Sequence, residues 1–415
     1  MRKTLALAAL AAIALGRPGP AHADDWPQWR GKGRDGISAE TGLLKQWPAA
    51  GPALVWTAGG IGEGYSGPAV VGAKVYTMGD VAGSSCLLAL NAANGKILWT
   101  AKMGQPGGGG GYAGTRCTPT VDGALVTGIN QHGDIVCVKA ATGAEVWRRQ
   151  MSELGGKMMS GWGYSESPLV DGDKLVCTPG GPGGTVAALN KATGATLWQS
   201  KGLTDSAAYS SLITVTIGGV KQYVVLTDRS LAGIAPADGS VLWRADRPGR
   251  VAVIPTPVYK DGMFFVTSGY GVGCNMIKVT GSGGSFSAQQ VYANTAMADH
   301  HGGVVLIGDN VYGHSDSSGW VCMELATGKV VWAERANAPG KGAIVAADGM
   351  LILRQEGGPG TIALVKATPA GYQEVSRFDQ PSRSNKNSWP HPVIANGKLY
   401  IRDQDVLLCY DIKGK

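Results

Sequence analysis

The chain has 415 residues and a formal net charge of +7 at pH 7, from 37 Lys and Arg against 30 Asp and Glu. These charges are spread along the sequence without a basic run, which argues against a protein that binds nucleic acid. Gly accounts for 65 residues without a collagen-like period, a composition typical of many tight turns between short strands.

The first 23 residues have the features of a secretory signal peptide. Arg2 and Lys3 precede an apolar run, from Leu5 to Leu15, that is too short to span a bilayer. A small-residue cleavage site follows at Ala21-His22-Ala23. The sequence therefore predicts a periplasmic or secreted protein without a transmembrane segment, in which residues 24–52 form an N-terminal extension.

A sequence motif of the form Gly-x-x-x-Trp recurs through the rest of the sequence. Its copies end at Trp99, Trp147, Trp198, Trp243 and Trp332, at spacings of 48, 51, 45 and 89 residues. A period of about 40–50 residues with short strands is the signature of a β-propeller. The last spacing corresponds to two repeats with one Trp missing.

A second motif, Pro-x-Val-x-x-Gly, marks the inner strand of each repeat, as at Pro68 and Pro168. Inner strands are predicted to begin near residues 67, 118, 167, 210, 255, 302, 342 and 391. The last repeat has only three strands, so we expect residues 53–57 to add its fourth strand and to close the ring. The sequence thus predicts an all-β, eight-bladed propeller of four-stranded antiparallel blades over residues 53–415.

Two residue types that recur in the repeats have structural interpretations. Each Trp at the end of an outer strand is expected to pack on the neighbouring blade and to bury apolar area there. Cys137, Cys322 and Cys409 occupy equivalent strand positions in different blades, too far apart for a disulfide bond. We therefore expect the seven Cys to be mostly unpaired.

The repeats of these two motifs cover essentially the whole mature chain and resemble those of the PQQ-like β-propeller repeat family. This family ranges from quinoprotein alcohol dehydrogenases to the propeller subunit of the Bam outer-membrane assembly machine. The opening at Asp25 to Gly31 and the run His300 to Gly303 are similar to a branch common in bacteria with many exported proteins. The resemblance admits PQQ with calcium as a cofactor. However, the sequence lacks the adjacent Cys pair that the dehydrogenases place beside the quinone.

The segments that precede the inner strands are the candidate functional regions, because in a propeller they converge on one mouth of the central channel. They are rich in Tyr, Trp, Arg and His, which suits a polyhydroxylated or carboxylated ligand. The ligand-binding candidates are Tyr65, Trp162, Tyr164, Tyr209, Trp389 and His391. The catalytic candidates are His300, His301, Arg116 and Glu166. Adjacent residues on a strand point to opposite faces, so one of the two neighbouring His should face the channel, and no metal site is predicted.

Three functions are compatible with such a funnel. The favoured one is a monomeric, exported binding or scaffold module for a protein or carbohydrate ligand, with no chemistry of its own. The second is a PQQ-dependent alcohol or sugar dehydrogenase. The third is a glycan lyase or hydrolase, with His300 and Arg116 as base and charge-neutralising group.

Overall fold

The computed structural model describes residues 25–414 and arranges them as an eight-bladed β-propeller of four-stranded antiparallel blades, one of which carries an additional parallel strand. The predicted signal peptide lies outside the described residues. From inner to outer strand, blades 1 to 4 consist of Ala69–Val71, Lys74–Val81, Ser84–Asn91, Ile97–Gly104; Thr120–Asp122, Leu125–Ile129, Asp134–Lys139, Glu145–Gln150; Leu169–Asp171, Lys174–Cys177, Ala187–Asn190, Thr196–Gln199; and Ile213–Ile217, Val220–Leu226, Ser230–Ile234, Val241–Asp246.

Blades 5 to 8 continue in the same order, and the fourth strand of blade 8 comes from the N-terminal part of the chain. Their strands are Val258–Lys260, Met263–Ser268, Gly273–Ser282, Ser285–Asn294; Val304–Ile307, Asn310–Ser315, Gly319–Glu324, Val330–Glu334; Gly342–Ala347, Met350–Gln355, Ile362–Lys366, Glu374–Phe378; and Val393–Ala395, Lys398–Asp403, Val406–Asp411, Ala53–Ala58. Every inner strand begins within three residues of its predicted start. Helix within residues 25–414 is limited to a single 3-10 turn, Met151–Leu154, and none there could cross a membrane.

The ring closes as the sequence predicts. Ala53–Ala58 pairs antiparallel with Val406–Asp411, so that Leu54 lies opposite Tyr410 and Trp56 lies opposite Cys409. An edge that would otherwise expose unpaired backbone groups is thereby covered.

The recurring Trp residues connect adjacent blades. Trp147 donates from its indole N–H to the carbonyl of Lys191 in the next blade, at 2.8 Å. Its ring also covers Gly194, where an added Cβ would lie 2.7 Å from the indole and the backbone has a φ of +72°. The Gly-x-x-x-Trp motif therefore requires both residues, because the Trp of each blade packs on the Gly of the next blade.

The missing Trp between residues 243 and 332 is replaced by another aromatic residue. Tyr292, on the outer strand of blade 5, donates its hydroxyl hydrogen to the carbonyl of Leu325 at 2.8 Å and covers Gly328. The interblade contact is thus kept while the residue type changes. All seven Cys are buried and unpaired, which confirms the prediction of free thiols.

Residues 25–38, called here the axial segment, contact residues in or beside the inner strands of blades 1, 2, 3, 6 and 7. Trp26 exchanges two backbone hydrogen bonds of 2.8 Å with Val70 in blade 1, and Val121 of blade 2 donates to the carbonyl of Pro27. Farther along, Ile37–Ser38 pairs in parallel with the inner strand of blade 7.

Two buried Arg side chains fix the axial segment to other blades. Arg34 donates to the carbonyls of Ser167 at 2.7 Å and Pro168 at 3.1 Å, beside blade 3. Arg30 donates to the carbonyl of Val304 in blade 6. A segment of this length can reach blades 1, 2, 3, 6 and 7 only from the channel axis, so it fills the central channel.

Candidate ligand-binding site

A cavity of about 140 Å³ opens at one mouth of the channel. Because the axial segment fills the channel, its residue Trp29 forms the floor of this cavity. The indole N–H of Trp29 donates to Thr256 Oγ1 at 2.8 Å, and its ring lies 4.6 Å from the ring of His391. The cavity is lined by Trp29, Tyr65, Tyr112, Arg116, Trp162, Ser165, Tyr209, Ser211, Ile254, Tyr270, His300, His301, Trp389 and His391.

Eight of the ten sequence-based candidates line this cavity. They come from the links that join the outer strand of one blade to the inner strand of the next. The eight are Tyr65, Arg116, Trp162, Tyr209, His300, His301, Trp389 and His391. Residues separated by more than 300 positions in the sequence are therefore neighbours around one opening.

Tyr164 and Glu166 do not line the cavity. Between them lies Ser165, which does, whereas both of its neighbours turn away from the cavity. Tyr164 is buried in the apolar core and donates its hydroxyl hydrogen to the carbonyl of Pro179 at 3.0 Å. Glu166 is fully buried, accepts the backbone N–H of Thr178, and burial raises its pKa to about 7.

The expectation that only one of the adjacent His residues faces the channel was wrong, because both line the cavity. Their link is irregular and carries no strand hydrogen bonding, so the strict alternation of a strand does not apply. The two imidazole rings lie 5.2 Å apart in an edge-to-face arrangement.

Two groups of aromatic rings form the sides of the cavity. Trp389 stacks on Tyr65 with a centroid distance of 4.3 Å, and Tyr112 lies 4.9 Å from Trp389. Trp162 and Tyr209 form the second group, at 6.1 Å. In a ring of eight blades the link that carries Trp389 lies opposite the link that carries Tyr209, so the two groups face each other across the mouth.

His301 is held in place by a carboxylate behind the wall. Its Nε2 donates to Glu356 Oε2 at 2.6 Å, and the indole N–H of Trp389 donates to the same oxygen at 2.7 Å. Burial opposes ionisation of Glu356, but the hydrogen bond from His301 and the nearby charges outweigh burial and lower its pKa to about 2. The Nδ1 atom of His301 is buried without a hydrogen-bond partner among the described residues. This network orients His301 and Trp389 together.

His300 is held by a different network. Lys341 Nζ donates to His300 Nδ1 at 2.6 Å and forms an ion pair of 3.0 Å with Asp316. Burial, followed by the electrostatic effects of His301 and of the Lys341 ammonium, lowers the pKa of His300 to about 3. The imidazole is therefore neutral near pH 7, and its Nε2 carries the proton as a hydrogen-bond donor.

Some lining residues were not among the sequence-based candidates. Tyr112, Ser165, Ser211 and Ile254 lie in the same links, and Tyr270 joins the second and third strands of blade 5, so the topology could have suggested them. Trp29 could not have been found in this way, because its position depends on the path of the axial segment.

Comparison with known proteins agrees with this architecture. The sequence model of a family described as "Outer membrane protein assembly factor BamB" matches residues 83–334, more than half of the chain. The chain belongs to this family of PQQ-like propellers. BamB of Shewanella oneidensis is 26% identical over 259 residues, which are 58% of this chain and 61% of that protein. BamB of Xanthomonas campestris pv. campestris is 28% identical over 204 residues, or 48% of this chain and 45% of that protein. The matched regions thus cover less than two thirds of these BamB relatives.

Solved structures share the fold of this BamB-family chain. BamB from Moraxella catarrhalis aligns with a TM-score of 0.55 and 15% identity, over 81% of this chain and 94% of that one. Quinohemoprotein alcohol dehydrogenase from Comamonas testosteroni aligns with a TM-score of 0.65 and 12% identity, over 94% of this chain and 81% of that one. At these identities the likeness shows the fold alone.

The cavity lining does not fit a quinone held by calcium. Calcium is bound by carboxylate, amide or carbonyl oxygens, whereas the lining side chains offer hydroxyl, imidazole, indole, guanidinium and aliphatic groups. The carboxylate of Glu356 is already hydrogen-bonded by the lining residues His301 and Trp389. Across residues 25–414, no three His, Cys, Asp or Glu are grouped as a metal site. The described residues therefore give no support to a calcium–quinone centre.

Proposed function

We propose that this chain is a monomeric binding module of the periplasm or cell exterior whose cavity holds one ring of a carbohydrate. The observation that carries this proposal is the cavity itself, with two facing groups of aromatic rings and an indole floor. Its volume of about 140 Å³ is below the roughly 300–1,000 Å³ of sites for drug-sized ligands. A single ring or chain end suits this space better than a large cofactor.

The chemistry of the lining supports a sugar as the ligand. Sugar rings present apolar C–H faces that stack on aromatic side chains, and hydroxyl edges that need donors and acceptors. The rings of Trp162 and Trp389 offer aromatic faces for stacking. The hydroxyls of Ser165 and Ser211 and the Nε2–H of His300 offer hydrogen-bond donors and acceptors. Both types of group surround the same space.

The protonation states favour binding over catalysis. A group with a pKa of about 3, such as His300, is a poor proton acceptor near neutral pH. His301 uses Nε2 for its bond to Glu356, and its Nδ1 is buried, so a ligand in the cavity would meet neither nitrogen as a free base. We therefore propose positioning roles for His301 and Glu356, and no proton transfer by Glu166 to a ligand in the cavity.

A protein partner at the same mouth is the second candidate. Two relatives are named outer membrane protein assembly factors, and these names support a protein partner as an alternative ligand for this chain. Tyr112 and Tyr270 line the cavity and are also exposed at its rim, where a protein side chain could insert between them. The predicted signal peptide and these relatives support a location in the cell envelope.

Titration of carbohydrates against the purified protein, followed by Trp fluorescence and calorimetry, would test the proposal. Trp162→Ala should weaken the binding of any sugar ligand about tenfold or more, because it removes one stacking face. Tyr259→Ala, which removes an aromatic ring outside the cavity lining, should leave the affinity unchanged. If no carbohydrate binds but an envelope protein is retained in a Trp162-dependent way, the carbohydrate assignment is wrong and the second candidate stands.

A further inference from the structure

We infer that the ligand ring carries a carboxylate, as in a uronic acid residue of an acidic polysaccharide. This inference rests on the proposed binding function and adds the charge of the ligand and its orientation in the cavity. The residue that points to it is Arg116.

Among the described residues, Arg116 is a cation that forms no ion pair with a carboxylate. Among the residues that line the cavity it alone carries a permanent charge, and the lining contains no Asp or Glu. Its guanidinium donates to the backbone carbonyls of Tyr112 at 2.5 Å and Gly114 at 3.3 Å. It also lies 5.7 Å from the centroid of the Tyr65 ring. These neutral partners hold the fork in place without cancelling its charge.

Asp80 acts on Arg116 electrostatically, but its carboxylate makes its hydrogen bonds to other residues. Asp80 accepts a hydrogen bond from Ser85 Oγ at 2.8 Å and from the backbone N–H of Gly107 at 2.6 Å. Burial lowers the pKa of Arg116, which is the expected cost of a cation held away from water without a counterion. An anionic ligand would relieve this cost, and the planar fork of Arg suits the two oxygens of a carboxylate.

The opposite side of the mouth is suited to the uncharged part of such a ligand. Arg116 lies in the link between blades 1 and 2, and His300 lies in the link between blades 5 and 6, directly across a ring of eight blades. The neutral imidazole of His300 presents an Nε2–H donor, which can bind a hydroxyl or ring oxygen. The aromatic groups around Trp389 and Tyr209 occupy the two remaining sides.

The arrangement therefore defines a direction for the ligand. The carboxylate points towards Arg116, the hydroxyl edge points towards His300, and the ring faces meet the aromatic groups. The carboxylate of Glu356 accepts hydrogen bonds from His301 and Trp389 and is not part of the cavity lining. It therefore does not place a negative charge beside the carboxylate of the ligand.

Isothermal titration calorimetry with matched pairs of sugars would test the inference. The probes are glucuronate, galacturonate and mannuronate, each beside its neutral sugar, together with a short oligomer of each acid to separate free sugars from polysaccharide ends. At least one acid or its oligomer should bind about tenfold or more tightly than its neutral counterpart. Arg116→Gln should remove this preference, and Arg116→Lys should retain part of it because the charge remains.

Arg229→Gln is the matched control. Arg229 is 73% exposed in its side chain, pairs with Asp228 and lies outside the cavity lining, so its loss should not change the preference. Thermal melting of each variant would show whether the fold is intact. Equal affinity for acid and neutral sugars, both lost in Trp162→Ala, would overturn the inference and leave the binding function. Binding of PQQ alone, or of no sugar, would overturn both.

Discussion

His391 shows how burial fixes a protonation state at the floor of the cavity. Its Nε2 donates to the carbonyl of His301 at 3.0 Å, and its ring lies against Trp29. Burial, together with the nearby charge of Arg30, lowers the pKa of His391 to about 3. The ring is therefore neutral in the folded protein near pH 7.

This depressed pKa predicts a pH dependence of stability. The unfolded chain binds a proton at His391 below about pH 6.5, whereas the folded chain does so only below about pH 3. The free energy of unfolding should therefore fall as the pH falls from 6.5 towards 3, by up to about 1.4 kcal/mol per pH unit for each such group. His391→Gln keeps a donor at this position and cannot titrate.

Urea denaturation at a series of pH values would measure this slope. His391→Gln should reduce this slope by up to the contribution of one bound proton. The slope that remains should include the contribution of His300, whose pKa is also lowered to about 3. An unchanged slope in the variant would contradict a neutral, buried His391.

At the scale of single residues, the sequence predicts which links matter but not the direction of every side chain. Tyr164, Ser165 and Glu166 are consecutive, and only Ser165 lines the cavity. The choice depends on the local path of the backbone, which no repeat specifies in the links. Both His300 and His301 line the cavity for the same reason, since their link does not follow strand alternation.

At the scale of elements, the strands were predictable and the axial segment was not. Each strand is bounded by turn residues that recur with the repeat, so its position follows from a pattern seen many times. The axial segment occurs once, and its contacts are to blades that are distant in sequence. Its role as the floor of the cavity rests on packing that only the three-dimensional structure reveals.

The axial segment should stabilise the whole propeller through its buried guanidinium groups. Arg34→Met keeps the length of the side chain but leaves the carbonyls of Ser167 and Pro168 without these donors. We expect a loss of about 1–3 kcal/mol for each buried group left unsatisfied. Urea denaturation of Arg34→Met beside the exposed variant Arg229→Met would measure the difference. Equal stability of the two variants would mean that the axial segment does not stabilise the ring.

At the scale of the whole molecule, a closed ring turns sequence position into spatial position. Every link between an outer and an inner strand ends at the same mouth, so the site could be located without knowledge of any individual contact. The identity of the ligand could not be found in this way, because the repeats specify the scaffold and the links vary independently. The sequence shows that Arg116 is charged, but only the structure shows that its hydrogen bonds go to backbone carbonyls. Likewise, only the structure shows that Glu356 is bound by His301.

Closure of the ring by Ala53–Ala58 should govern the stability of the whole propeller. Trp56 donates to the carbonyl of Ala92 at 2.9 Å and covers Gly95, so it joins blade 8 to blade 1. Trp56→Ala should cost about 3–5 kcal/mol, as expected for a buried Trp, while the axial segment remains in place. Deletion of residues 25–60 should also expose the backbone edge of Val406–Asp411 and cause aggregation. Light scattering and thermal melting would measure both effects, and a monomeric deletion variant with an unchanged melting temperature would contradict closure by this strand.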